Sequence, residues 1–361
     1  MMQGLTLNNK LAMAGGRPTG FDYIRITLSI CVICLHSGLA TGGWAADTAF
    51  WHSPFRGVFR MMLPMYFALS GFLVAGSLLR TNTLVQFLGL RALRIYPALI
   101  VEVSLSALIL GPLLTTVPLG HYFTSHEFGL YMLNVTGHIH YLLPGVFKTN
   151  PYNGIVNAQL WTVPYELMSY IALAVLTVVG IKRRSWLAPA AVLALSAVFF
   201  GVSVLKHKAA THDFGTTPGA ILIICFLAGL SVFLYKDRLP WNHGLTIASG
   251  IVAVALFGFV PYGVYLAAPF AAYFTVSLGV YDPAKLHMLQ GNDYSYGMYI
   301  YGFVIQQTLV AVFPVVKRVG DQHRPECSAR GSLRRAVMAL GGEAGAWVAP
   351  VHRTHQCPQS A

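Results

Sequence analysis

The chain has 361 residues, of which 55% are hydrophobic and only 10% charged, and its mean hydropathy is +0.60. Soluble globular domains carry about 25% charged residues, so this composition excludes a soluble domain and leaves a polytopic membrane protein. The formal charge of +12 is read first as membrane topology, since cytoplasmic loops collect Lys and Arg, and no nucleic-acid partner is expected.

Residues 1–20 form a short polar lead with Lys10 and Arg17 and without the apolar stretch of a cleavable signal peptide. A cytoplasmic lead is expected, with the first span as its own insertion signal. Apolar runs able to cross a hydrocarbon core, on the order of 20 residues, follow at 21–40, 57–79, 95–117, 159–180, 186–205, 217–235, 244–261, 263–280 and 295–316. An N-terminus inside puts Lys10, Arg17, Arg80, Arg91, Arg94, Lys182, Arg183, Arg184, Lys236, Arg238 and Lys285 in cytoplasmic segments. It leaves Arg56, Arg60, Lys148, Lys206 and Lys208 outside. The bias supports N-terminus in.

The first span, "FDYIRITLSICVICLHSG", keeps two ionisable side chains, Arg25 and His36. Eleven helical residues return to within roughly 20° of the starting direction, about 16 Å further along, so both lie on one face. Arg25 either snorkels to the inner interface or faces a ligand. His36 is either a neutral, hydrogen-bonded packing residue or a general base. Cys31 and Cys34 sit inside the same span and read as small core residues; no disulfide framework or metal site is implied.

In the second span, "MYFALSGFLVAGSLLR" offers Ser70, Gly71, Gly76 and Ser77. Small residues allow close helix approach, a better reading than Ser70 as a nucleophile. In the third, "RALRIYP" sets Arg91 and Arg94 at i and i+3 on one helix face. Two guanidiniums there either hold phosphates through paired hydrogen bonds or serve topology alone. Glu102, deeper in that span, has no obvious partner; it either pairs with Arg94 or lines the same cavity.

Residues 118–158 form a long loop rich in His, Tyr, Asn, Gly and Pro, facing outside by this topology. It is either a re-entrant cover or an exposed loop. His138 and His140 lack a neighbouring carboxylate or Cys, and no metal is expected there. Beyond it, "QLWTVPYELMSYI" carries Glu166 about seven residues, roughly 10 Å, below the outer surface. That depth matches His36, and a carboxylate beside an imidazole orients it and raises its basicity for attack by a hydroxyl. Trp161 and Tyr165 are substrate-site candidates or interfacial belt residues.

The tail, 317–361, changes character. It holds Lys317, Arg318, Arg324, Arg330, Arg334, Arg335 and Arg353, yet after nine spans it falls outside, against the bias of the rest. It reads as a disordered basic tail, an unseen return through the membrane, or an altered coding end, the last being slightly favoured.

Five segments in order, "FDYIRITLSICVICLHSG" with its R-x10-H, "PMYFALSGFLVAGSLLR", "RALRIYPAL", "LWTVPYE" and "DYSYGMYIYGFVIQQ", resemble acyltransferase family 3, integral membrane enzymes that O-acetylate bacterial polysaccharides, O-antigens, Nod factors and some macrolides. The resemblance covers most of 20–316. It implies an all-α polytopic membrane fold of about nine to ten transmembrane helices in a bacterial inner membrane, acetyl-CoA or another acyl-CoA as donor, no metal, and a glycan or lipid-linked saccharide as acceptor. Carried over, His36 and Glu166 are catalytic, and Arg25, Arg91 and Arg94 contact the donor. Two departures stand out: the basic tail replaces a tenth helix, and Tyr301-Gly302 stands where many members have a His. A transporter is the alternative, since ionisable residues in spans also mark transport paths, although no inverted repeat or paired broken helices are visible.

Overall fold

A computed structural model describes residues 5–81, 83–206, 218–284, 286 and 294–313; the readings of the tail, 317–361, fall outside them. The described residues are all-helical: α1 Leu7–Met13, α2 Gly20–Trp51, α3 Arg56–Arg80, α4 Leu84–Leu105, α5 Gly111–Leu114, α6 Leu119–Thr124, α7 His126–Met132, α8 Val163–Val179, α9 Leu187–Leu205, α10 Gly219–Leu234, α11 His243–Gly258, α12 Val264–Gly279 and α13 Ser295–Val312. A π-helical turn, Ser106–Leu110, joins α4 to α5, and a 3-10 turn, Ala158–Thr162, leads into α8. Five segments are long and apolar enough to cross a membrane, and α10, α11 and α12 are shorter apolar helices. The apolar runs coincide with helices wherever the residues are described, the third of them with the end of α4, the π-helical turn and α5, and the protein is a polytopic membrane protein.

The centre is the α3–α10 pair. A Cβ on Gly71 would collide with the Phe226 carbonyl, and one on Gly229 with the Ala68 carbonyl. The two backbones touch because side chains are absent at both crossing points. With no hydrophobic drive between helices in lipid, this contact replaces a soluble core.

Helix α2 is fastened along its length. Thr19 N–H donates to Asp282 Oδ1 at 2.9 Å and the Tyr23 hydroxyl to the Ala284 carbonyl at 2.8 Å. Further along, the Ser29 hydroxyl donates to the Ser295 carbonyl at 3.0 Å and Gln306 Nε2 to the Ile33 carbonyl at 2.8 Å. Beyond them α2 breaks at Gly43, φ 63°, where the Pro151 carbonyl fills the space a Cβ would need.

Pro151 belongs to the long loop, which is packed against the helices. Leu143, Val146, Tyr152 and Val156 are buried. Gln307 of α13 donates to the carbonyls of Tyr152 at 2.7 Å and Ile155 at 2.8 Å. Asn157 donates to Glu102 Oε1 and to the Ile300 carbonyl, both at 2.8 Å. Glu102 is twelve residues, about 18 Å, short of the end of α5. The loop therefore reaches well into the bundle before α8 begins.

The lead is also packed. Leu7 N–H donates to the Leu239 carbonyl at 3.0 Å and Trp241 N–H to the Leu5 carbonyl at 2.7 Å. Leu7 and Leu11 are buried, and Lys10 Nζ sits 4.3 Å from the centre of the Trp241 ring.

Candidate functional site

At the end of the bundle where α1 docks, a cavity of about 400 Å³ opens between α1, α2, α3, α4 and the end of α10. Arg25, Arg91 and Arg94 line it, together with Arg17, Arg80 and Lys236, and no carboxylate does. Arg25 is only 7% exposed, enclosed by the surrounding helices. Arg91 Nε is buried without a hydrogen-bond partner, while the Arg91 guanidinium has a long 3.4 Å contact from Nη2 to the Ser77 hydroxyl and a hydrogen bond with Tyr170. Small residues make the space: a Cβ on Gly76 would press to 3.3 Å from the Phe233 ring and 3.4 Å from Arg80 Nη1. The charge, the orphaned donor and the small-residue wall suit a phosphorylated, polyanionic ligand.

Glu166 belongs to this end and not to His36. Tyr170 donates its hydroxyl to Glu166 Oε1 at 2.7 Å, and Arg94, Arg25 and Arg91 lie within electrostatic reach of the carboxylate, Arg94 acting most strongly. Tyr296 and Tyr299 of α13 feel the same charge. His36 lies further along α13, against Phe303, with ring centroids 5.4 Å apart. From Tyr296–Tyr299 to Phe303 is four to seven residues, about 6–10 Å. Among the described residues no hydrogen bond or ion pair joins His36 to Glu166. The contacts of Glu166 are with Tyr170 and the arginine charges, and those of His36 with the Val32 carbonyl and Phe303. Glu102, for its part, is held by Ser106, which donates to Oε1 at 2.9 Å, and by Asn157, rather than by Arg94.

The imidazole is oriented from its own helix. His36 Nδ1 is 2.8 Å from the Val32 carbonyl, and a carbonyl only accepts, so Nδ1 carries the proton and Nε2 keeps its lone pair. Arg25, Ser29 and Val32 are buried and His36 is half-buried, which confirms a single face of α2 running from the cavity to the imidazole. An aromatic relay, His36 to Phe303, Phe303 to Tyr152 at 5.9 Å and Tyr152 to Trp44 at 4.7 Å, ties that face to the loop. Gln306 donates to the Ser37 hydroxyl at 2.7 Å. Its Oε1, and Nε2 of Gln159, whose Oε1 accepts from Phe303 N–H, are buried and unpartnered.

Trp161 and Tyr165 stack edge to face at 5.8 Å, and a Cβ on Gly219 would run into the Tyr165 ring. Their contacts brace the start of α8 against α10. Asn8, Arg17, Arg80 and Lys236 were not legible as site residues; the positive-inside pattern already accounted for the charged ones, and only the docking of α1 brings them together. His138 and His140 lie 4.9 Å apart between ring centroids, and no group of three metal-ligating side chains forms among the described residues.

The sequence model of the acyltransferase 3 family, an acyltransferase domain, matches residues 19–319. The chain is 24% identical over 313 residues to an O-acetyl transferase of Shigella phage Sf6, covering 80% of this chain and 85% of that protein. It is 25% identical over 338 residues to nodulation protein 10 of Rhizobium leguminosarum bv. viciae, covering 83% and 86%. No solved structure matches significantly.

Proposed function

The chain belongs to the acyltransferase 3 family, and from that premise we propose a membrane O-acyltransferase, with 21–316 as its transferase domain, that moves an acetyl or other acyl group from acyl-CoA to a hydroxyl of a bacterial polysaccharide, O-antigen or other glycan. The observation that carries the reading is the single face of α2, with Arg25 in a cationic cavity and His36 about 16 Å further along with Nε2 free. In a bacterial inner membrane with the N-terminus inside, the cavity opens to the cytoplasm, where acyl-CoA is made, and His36 looks towards the acceptor side. The O-acetyl transferase of phage Sf6 supports acetyl as the group.

Bound acyl-CoA supplies a thioester, an activated carbonyl on a long arm. Arg25, Arg91 and Arg94 hold its phosphates, and the orphaned Nε of Arg91 is a donor aimed at that task. His36 Nε2 takes the proton of the acceptor hydroxyl as its oxygen bonds to the acyl carbon, and returns it to the sulfur that leaves. The unpartnered amide atoms of Gln306 and Gln159 are the polar groups next to Phe303 for an acceptor to meet. Glu166, fixed by Tyr170, balances the repulsion of three arginines; it is a positioning residue for donor binding.

The test follows radiolabelled acetyl from acetyl-CoA into the glycan fraction of membranes containing this chain. General-base catalysis contributes about 10²- to 10⁴-fold, so His36→Ala is expected to lose that much transfer while keeping its folded yield. Label that survives the substitution overturns His36 as base; solute movement without acetyl-CoA consumption establishes a transporter instead.

A further inference from the structure

The six cations of the cavity fall into two sets. Arg25, Arg91 and Arg94 are buried or half-buried, and all three lie within electrostatic reach of Glu166. Arg80 and Arg17 are exposed and Lys236 is half-buried; they come from the end of α3, the α1–α2 link and the end of α10. This second set forms the mouth. Lys236 Nζ lies 4.4 Å from the centre of the Phe233 ring, and the Phe233 ring and Arg80 Nη1 both border the space above Gly76. Arg17 is 76% exposed and 3.7 Å from Asp22 Oδ1.

Charge matching separates their ligands. Three deep cations less Glu166 leave a surplus of two positive charges, the charge of a diphosphate diester. The three mouth cations, of which Arg17 has Asp22 at 3.7 Å, present a separate positive charge, and a phosphate monoester carries about −1.5 to −2 at pH 7. Coenzyme A has one group of each kind, a diphosphate and a ribose 3′-phosphate. We propose that Arg17, Arg80 and Lys236 form a separate 3′-phosphate site, so that the enzyme distinguishes CoA thioesters from their 3′-dephospho forms. This inference rests on the acyl-CoA reading. The mouth cations come from three segments joined by the docking of α1 on 236–241, so the polar lead completes the site.

The experiment compares acetyl-CoA with acetyl-3′-dephospho-CoA on the purified full chain in lipid nanodiscs. A hydrogen bond to a charged group is worth roughly tenfold or more, so the dephospho donor is expected to show a KM raised at least about tenfold at similar kcat. Arg80→Gln and Lys236→Gln are expected to raise KM for acetyl-CoA by a similar factor and to leave KM for the dephospho donor nearly unchanged. Equal use of both donors, or variants that weaken both alike, overturns the inference and leaves the acyl-CoA reading standing. Transfer from neither donor by folded protein overturns that reading, and binding then decides the site: adenosine 3′,5′-bisphosphate must bind tighter than AMP, with Lys236→Gln erasing the difference, or the proposal falls.

Discussion

At the scale of single residues, His36 and Glu166 sit in different surroundings. A backbone carbonyl one turn earlier fixes the imidazole, and a carboxylate lies nearer the arginines. If Glu166 were paired with His36, its charge would stabilise the imidazolium, and removing it would shift the acid limb of the pH–rate profile down by about 1 unit or more. With the carboxylate one to two turns away, Glu166→Gln is expected to leave that limb in place and to change the KM for the acyl donor; kcat and kcat/KM measured from pH 5 to 8 decide it. His140 offers a pH effect of another kind. Burial, and then the charges of His138 and His126, lower its pKa, so the unfolded chain binds the proton more readily than the folded one. Its contribution to stability is present above the unfolded value, about 6.5, and is lost as pH falls through that value towards the lower folded one. The melting temperature in detergent is expected to drop on acidification from pH 7.5 to 5.5, and His140→Gln to flatten part of that drop.

Among the elements, the loop from 118 to 158 carries the most organisation that periodicity does not announce. Its hold on the bundle is a set of amide side chains, Asn150, Asn157 and Gln307, whose partners are carbonyls and one carboxylate. Gln307→Leu leaves the Tyr152 and Ile155 carbonyls buried and unpaired, at about 1–3 kcal/mol each. Because Tyr152 packs on Phe303, which touches His36, acyl transfer is expected to fall with the thermal stability. Both are measured on the same preparation, and transfer surviving a large drop in melting temperature would separate the loop from the site. The π-helical turn that follows Glu102 lets α4 accommodate the buried Ser106 and the Asn157 contact, a kind of break that recurs at functional sites.

For the whole molecule, the cationic cavity and the imidazole at opposite reaches of one helix define two sides, and the proposed orientation can be checked directly. In a cysteine-free background, Glu127→Cys, exposed in α7, is expected to react with an impermeant maleimide in intact cells, whereas Met13→Cys, 74% exposed in α1, reacts only after permeabilisation. The reverse pattern inverts the topology. The sequence by itself determined where the apolar helices of the described residues lie, because hydrocarbon forces every backbone group to be satisfied within its own helix. It also determined the shared face of Arg25 and His36, which depends only on helical pitch. What the tertiary structure alone decided is which charges meet. Counting residues from a presumed surface placed Glu166 beside His36; its contacts are with Tyr170 and the arginine charges. Likewise, the lead reads as polar and unattached until α1 is seen docked on 236–241, bringing Arg17 and Lys236 to one mouth. Contacts between segments more than two hundred residues apart leave no periodic trace, so helix pitch is legible in a sequence and the meeting of distant side chains is not.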